Sequence, residues 1–83
     1  MQMRANGRFL AEYGKQSPGL CKVVVDADTN IVKGIHLLGA TCSEMIYGAA
    51  AMLEAELRVQ DIQDIIFPHP TVCEIIRDTL WEI

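Results

Sequence analysis

The chain has 83 residues, of which 51% are hydrophobic, and its formal net charge is −4. A single domain of this size buries only about 60% of the surface of its unfolded chain, and no apolar stretch approaches the roughly 20 residues of a membrane-spanning helix. The seven Lys and Arg residues are scattered, which argues against a nucleic-acid partner and against an anionic membrane surface.

The three cysteines, Cys21, Cys42 and Cys73, stand at wide spacing, and no two of them form a C-x-x-C pair. This pattern predicts neither a disulfide framework nor a zinc site, and it indicates a reducing compartment, which we expect to be the cytoplasm. The first residues, MQMRANGRFL, lack the uninterrupted apolar core and the cleavage site that are typical of a signal peptide.

The first half of the chain predicts a short helix followed by a β-hairpin. Residues 5–13 can form a helix that is interrupted near its start by Asn6 and Gly7. The runs 20–25 and 31–38 are rich in Val, Ile and Leu, and the segment between them is rich in Asp and Asn, which is typical of two antiparallel strands joined by a turn. Because two strands make an unusually small sheet, we expect a third strand, either near Met1 or from another part of a longer protein.

The second half predicts two helices, each opened by a capping box. Thr41 with Glu44 opens the first helix, whose apolar positions are Met45, Ile46, Ala49, Met52, Leu53 and Leu57. Thr71 with Glu74 opens the second, whose apolar positions are Val72, Ile75, Ile76, Leu80 and Ile83. Between the helices, a short helical turn is indicated by Val59, Ile62, Ile65 and Ile66. The order of elements gives one α+β domain over residues 1–83, with an antiparallel β-sheet packed against helices.

Several residues have structural interpretations that compete with functional ones. We expect His36 to be a solvated strand residue, and we expect no metal site, because no second metal ligand stands at strand spacing from it. Asp26 and Asp28 resemble the start of a calcium loop, but the glycine and the closing glutamate of that motif are absent, so we interpret them as turn residues. The small residues 48–51 and Trp81 fit either internal packing or a subunit contact.

The segment 67–74, with the sequence FPHPTVCE, is the most informative about chemistry. Two prolines restrict the backbone on both sides of His69, and Glu74 is placed to reach back from the predicted helix towards the imidazole. A carboxylate there would fix the tautomer of the ring and stabilise the imidazolium, as a general acid/base requires. The structural alternatives are a capping box, in which Glu74 accepts a hydrogen bond from the Thr71 N–H, and an ordinary loop histidine.

The run HPTVCE resembles the H-P-T-x-x-E signature near the C-terminus of the pyridine-nucleotide disulfide reductases, in the form seen in dihydrolipoamide dehydrogenases and glutathione reductases. Three further runs, NGRFLAE, VVVDADTNIVKGIHLLG and CSEMIYGAAAML, resemble successive blocks of the dimerisation domain of this family. The resemblance therefore covers nearly all of the chain. It implies the dimerisation-domain fold of FAD/NAD-linked disulfide reductases and a fragment of a longer flavoenzyme, most similar to dihydrolipoamide dehydrogenase.

The resemblance also implies roles for single residues. It makes His69 the acid/base that exchanges a proton with a dithiol substrate and stabilises the thiolate of the redox-active cysteine, and it makes Glu74 the residue that holds His69. It implies that His69 acts in the active site of the other subunit of a homodimer, and that the bond between His69 and Pro70 is cis. The implied parent enzyme binds FAD and NAD and acts on dihydrolipoyl groups of a 2-oxoacid dehydrogenase complex or of the glycine cleavage system.

Other parts of the family pattern are absent from this sequence. No two cysteines have the C-x-x-x-x-C spacing of the reactive disulfide, and no G-x-G-x-x-G run is present to receive a pyrophosphate. We therefore expect the chain to bind no cofactor and to be inactive alone, and we expect no redox role for Cys73. The runner-up interpretations are the same domain of a glutathione-reductase-like enzyme and a free-standing dimeric module that binds a ligand or partner. The high apolar content predicts self-association of the isolated domain.

Overall fold

The computed structural model describes all 83 residues as a two-stranded sheet with helices on either side of it in sequence. The elements are a 3-10 helix Met3–Ala5, α1 Gly7–Tyr13, β1 Gly19–Val25, β2 Val32–Gly39, α2 Cys42–Glu54, α3 Val59–Gln63 and α4 Glu74–Trp81. This is the α+β architecture that the sequence predicts, and each strand differs from its predicted bounds by one residue at one end or both. No helix combines the length and the apolar character that crossing a lipid bilayer requires.

The hairpin of β1 and β2 is antiparallel, with Gly19 opposite Gly39 and Val23 opposite Ile35. The turn between the strands is stabilised by Asp26, whose Oδ1 accepts hydrogen bonds from the backbone N–H groups of Asp28, at 2.8 Å, and Thr29, at 3.0 Å. An aspartate that bonds the backbone two and three residues ahead is a common way to build such a turn. The interpretation of these residues as turn residues is therefore confirmed.

The segment near Met1 lies along the free edge of β1, but it does not form a third strand. Gln2 makes an isolated antiparallel bridge with Leu20, and the backbone N–H of Cys21 donates to the carbonyl of Met1 at 2.8 Å. The chain then turns at once into the 3-10 helix Met3–Ala5. The prediction of a third strand near Met1 is thus wrong, because this segment makes only one bridge to β1.

One hydrophobic core joins the inner face of the sheet to the helices. Its fully buried side chains include Phe9, Met3, Ile62, Ile75, Ile76, Leu80, Val32 and Cys21. Four residues of the apolar sets predicted for the helices lie outside it: Ile46 is 45% exposed, Ile65 38%, Ile66 95% and Ile83 71%. Ile66 and Ile83 follow the last residues of α3 and α4, so helical spacing no longer determines where their side chains point.

The capping box predicted at Thr41 and Glu44 is wrong. Thr41 precedes α2 with a left-handed backbone, φ 70°, and its side chain makes no capping hydrogen bond. Its hydroxyl lies instead 3.6 Å from the sulfur of Met45. An N-cap side chain reaches the helix N–H groups from an extended backbone, and the abrupt reversal from β2 into α2 leaves no such backbone here.

Candidate functional site

The loop between α3 and α4 is anchored at one end and exposed in its middle. Phe67 belongs to the core and is 9% exposed, whereas Pro68, His69 and Pro70 are exposed. The bond between His69 and Pro70 is cis, as predicted. The loop therefore presents the histidine at the surface while the residue two positions before it is held in the interior.

The two predicted site residues, His69 and Glu74, are in contact. Nδ1 of His69 lies 3.0 Å from Oε1 and 3.1 Å from Oε2 of Glu74. The side chain of His69 is 81% exposed, and that of Glu74 is 9% exposed. Nε2 of His69 makes no hydrogen bond within the chain, so the ring is held at one nitrogen and free to exchange a proton at the other.

Glu74 also makes the bond that the structural alternative requires. Its Oε2 accepts a hydrogen bond from the backbone N–H of Thr71 at 3.0 Å, while the Thr71 hydroxyl donates to the carbonyl of Pro68 at 2.7 Å. The predicted capping box at these residues is therefore only half formed, and α4 begins at Glu74 itself. Because one carboxylate oxygen has several acceptor directions, Glu74 serves Thr71 and His69 together.

These contacts keep Glu74 ionised. The hydrogen bond from the Thr71 N–H is the main reason that the pKa of Glu74 lies below its ordinary value; burial opposes this shift, and His69 and Arg77 reinforce it. A carboxyl group that is already an anion at neutral pH offers a fixed negative charge to an imidazolium on His69. The pair thus has the electrostatic arrangement of a histidine base and its orienting carboxylate.

Two further side chains contact the site, and the sequence analysis assigned neither of them to it. Arg77 lies with Nη2 3.4 Å from Oε1 of Glu74, and its guanidinium lies over the ring of Phe67, 5.6 Å from the centroid. The spacing of three residues on a helix is the sequence signal that predicts the first contact. Asn6 donates from Nδ2 to the carbonyl of Thr71 at 3.0 Å, across 65 residues of sequence. Its position before α1 predicts an N-cap but not this bond.

The other candidate residues lie apart from this arrangement or lack partners for chemistry. His36 is exposed on β2 opposite Lys22, as predicted for a solvated strand residue. All three cysteines are free thiols, and burial raises the pKa of both Cys21 and Cys42, which makes their reactive thiolate forms scarce. No group of three or more His, Cys, Asp or Glu side chains is arranged to hold a metal ion.

Comparison with known proteins identifies the family of the chain. Residues 1–80 match the family model of the pyridine nucleotide-disulphide oxidoreductase dimerisation domain. The chain belongs to this family. The family resemblance and the α+β dimerisation-domain fold predicted from the sequence are both confirmed.

Three relatives of this dimerisation domain carry the same description. The chain is 36% identical to dihydrolipoyl dehydrogenase of Zymomonas mobilis over 92% of its length, and 34% identical to dihydrolipoyl dehydrogenase of Rhizobium etli over 94%. It is 35% identical to dihydrolipoyl dehydrogenase 3 of Pseudomonas putida over 95%. Each match spans 16% of the relative's length, so the chain corresponds to a small part of those proteins.

Proposed function

We propose that this chain is the C-terminal dimerisation domain of a flavin-dependent dihydrolipoamide dehydrogenase and that it supplies His69 and Glu74 to the dithiol/disulfide site of the partner subunit. The observation that supports this most is the contrast between an exposed imidazole, 81% accessible, and the carboxylate that orients it, 9% accessible. A ring that is fixed in direction and open to the outside is suited to a reactant that does not belong to its own domain.

The chemistry assigned to these residues is proton transfer. With Glu74 on Nδ1, the Nε2 atom of His69 accepts the proton of a dithiol S–H group, and the resulting imidazolium is stabilised by the carboxylate charge. The same imidazolium stabilises a neighbouring thiolate and returns the proton when the thiol is re-formed. FAD and NAD, which the parent enzyme would hold in its other domains, supply the electron transfer when they are bound.

The distribution of exposed apolar side chains supports contacts with other chains or domains. The most exposed large apolar residues are Ile66 at 95%, Tyr47 at 83%, Ile83 at 71%, Leu38 at 65% and Trp81 at 62%. A small domain rarely leaves so many large apolar groups in water unless another surface covers them. We therefore propose a homodimer and contacts with FAD- and NAD-binding domains of the parent enzyme, which would act on the dihydrolipoyl groups of a 2-oxoacid dehydrogenase complex or of the glycine cleavage system.

The proposed setting is a reducing compartment such as the cytoplasm. Cys21, Cys42 and Cys73 are all unpaired in the fold, and none of them is needed as a disulfide to hold the domain together. The chain alone, without the domains that bind the cofactors, is proposed to be inactive.

The experiment that tests the proposed function joins this chain to the preceding part of the Zymomonas mobilis relative and measures dihydrolipoamide oxidation with NAD. We expect an active dimer whose turnover falls about 10²- to 10⁴-fold in the His69→Gln variant, because a general acid/base contributes on that scale. His36→Gln is the matched control and should leave turnover unchanged. Equal turnover with and without His69, in a graft that retains its flavin, would contradict the proposal.

A further inference from the structure

Asn6 is a buried polar residue that connects the start of α1 to the site loop. It is 4% exposed, its Oδ1 accepts a hydrogen bond from the backbone N–H of Phe9 at 2.9 Å, and its Nδ2 donates to the carbonyl of Thr71 at 3.0 Å. Both partners are backbone groups whose donor and acceptor roles are fixed, so only one orientation of the amide satisfies both. Asn6 therefore caps α1 with the oxygen of its side-chain amide and holds the loop with the nitrogen.

Thr71 transmits this contact to the acid/base pair. The carbonyl of Thr71 is held by Asn6, and the backbone N–H of the same residue donates to Oε2 of Glu74 at 3.0 Å. The same carboxylate oxygen lies 3.1 Å from Nδ1 of His69. A continuous series of hydrogen bonds thus runs from the N-terminal segment to the imidazole.

Asn6 lies among core residues, whereas the loop that it contacts is exposed. Met3, three residues before Asn6, and Phe9, three residues after it, are completely buried, and the backbone N–H of Asn6 donates to the carbonyl of Met3 at 2.9 Å. Residues 68–70 are all exposed and have no side chain in the core. The bond from Asn6 is therefore a link between the buried core and the exposed loop that presents His69.

We propose that Asn6 is a positioning residue for the pair of His69 and Glu74: it fixes the Thr71 peptide so that Glu74 is held where it can orient the imidazole. The catalytic meaning of this inference rests on the proposed function, but the geometric claim does not. A purely structural Asn6 would cap α1 and bond one partly buried carbonyl without any influence on the carboxylate.

The first test compares Asn6→Ser with the unsubstituted 83-residue chain. Serine is as good an N-cap as asparagine, so α1 keeps its cap, but the shorter hydroxyl cannot reach the Thr71 carbonyl. We expect the Thr71 amide to exchange roughly tenfold faster with solvent, the scale of one lost hydrogen bond. We also expect the pKa of Glu74, followed by carbon-detected NMR, to rise towards its ordinary value. His69 and Arg77, the other groups that face Glu74, are unchanged in this variant.

A matched control removes a similar bond elsewhere. Gln63 donates from Nε2 to the carbonyl of Leu80 at 3.3 Å, which is also a side-chain amide bonded to a backbone carbonyl, but at the far end of α4. Gln63→Ser should leave both the Thr71 exchange rate and the Glu74 titration as they are. If Asn6→Ser also leaves both unchanged while α1 stays folded, or if Gln63→Ser shifts Glu74 as much, Asn6 has no positioning role.

A measurement on the unsubstituted chain covers the case in which Asn6→Ser does not fold. The two side-chain amide protons of Asn6 should exchange much more slowly than those of Asn30, which is exposed. Equal exchange of the two asparagine side chains would overturn the proposal. These readouts are independent of enzyme activity, so a graft that does not need His69 would refute the proposed function and leave the role of Asn6 in placing Glu74 to be decided by NMR.

Discussion

The turn between the two strands and the loop before α4 both use a carboxylate to bond nearby backbone N–H groups, but they differ in what else holds them. In the turn, Asp26 bonds the backbone of residues two and three positions ahead, and the Thr29 hydroxyl accepts a hydrogen bond from the Ile31 N–H at 3.2 Å. In the loop, Glu74 bonds the backbone of Thr71, whose carbonyl is in turn held from the other end of the sequence by Asn6. The side-chain hydrogen bonds of the turn are thus all local, whereas those of the site loop include one from a residue 65 positions away.

The largest expected effect comes from removing the core anchor of the loop. Phe67→Ala deletes a ring that is 9% exposed and that also lies beneath Arg77, so we expect a loss of about 3 kcal/mol in the free energy of unfolding. The control is Ile66→Ala, next to it and 95% exposed, which should change stability by no more than about 0.5 kcal/mol. Urea denaturation at dilute protein concentration measures both. Equal losses in the two variants would mean that Ile66, and not only Phe67, is buried in solution.

An intermediate effect is expected in the pH dependence of stability. The folded pKa of Glu74 is lowered from its ordinary value of 4.5, mainly by the Thr71 N–H, so the unfolded state takes up a proton first as pH falls. Stability contributed by Glu74 is therefore fully present above about pH 4.5 and is lost as pH falls through the folded pKa. Asp26 is lowered in the same sense from 3.8, mainly by its bond to Thr29, so its window lies lower.

The variants Glu74→Gln and Asp26→Asn separate these two windows. Each variant should weaken the pH dependence of the unfolding free energy in one part of the acid range, because the substituted side chain no longer takes up a proton. Urea denaturation at several pH values between about 2 and about 7, a range that spans the ordinary carboxyl pKa values, measures this dependence. Only Glu74→Gln should also change the ring signals of His69. A change of those signals in Asp26→Asn would show that the turn and the site loop are coupled.

The smallest expected effect comes from a comparison of two arginines, each of which lies three residues from its acidic partner. Arg77 is paired with Glu74 at 3.4 Å and lies over Phe67, whereas Arg58 is paired with Asp61 at 3.3 Å and is 52% exposed. Arg77→Met should cost about 0.5–1 kcal/mol and raise the pKa of Glu74, because a cation beside the carboxylate is lost. Arg58→Met should leave the Glu74 titration unchanged. If the pKa of Glu74 is unchanged in Arg77→Met, Arg77 does not influence the carboxylate of the site.

The parts of the fold that could be predicted are those set by neighbours in sequence. Runs of β-branched residues around an Asp- and Asn-rich turn predicted the hairpin, and helical spacing placed Met45, Ala49 and Ile75 correctly in the core. The contact of Glu74 with His69 was also within reach, because five residues and a helix start separate the two. The capping box at Thr41 failed since the reversal from β2 into α2 fixes the backbone there, and the motif alone does not contain that geometry.

By itself, the sequence determined the family, the α+β class and the candidate pair of His69 and Glu74, since periodicity, turn chemistry and a short signature are local properties of the chain. Only the tertiary structure decided that His69 faces solvent while Glu74 is buried, and that Asn6 and Arg77 hold the loop from different directions. The physical reason is that burial and hydrogen bonds between distant residues depend on how the elements pack, and Asn6 meets Thr71 only after α1 and α4 have joined a common core.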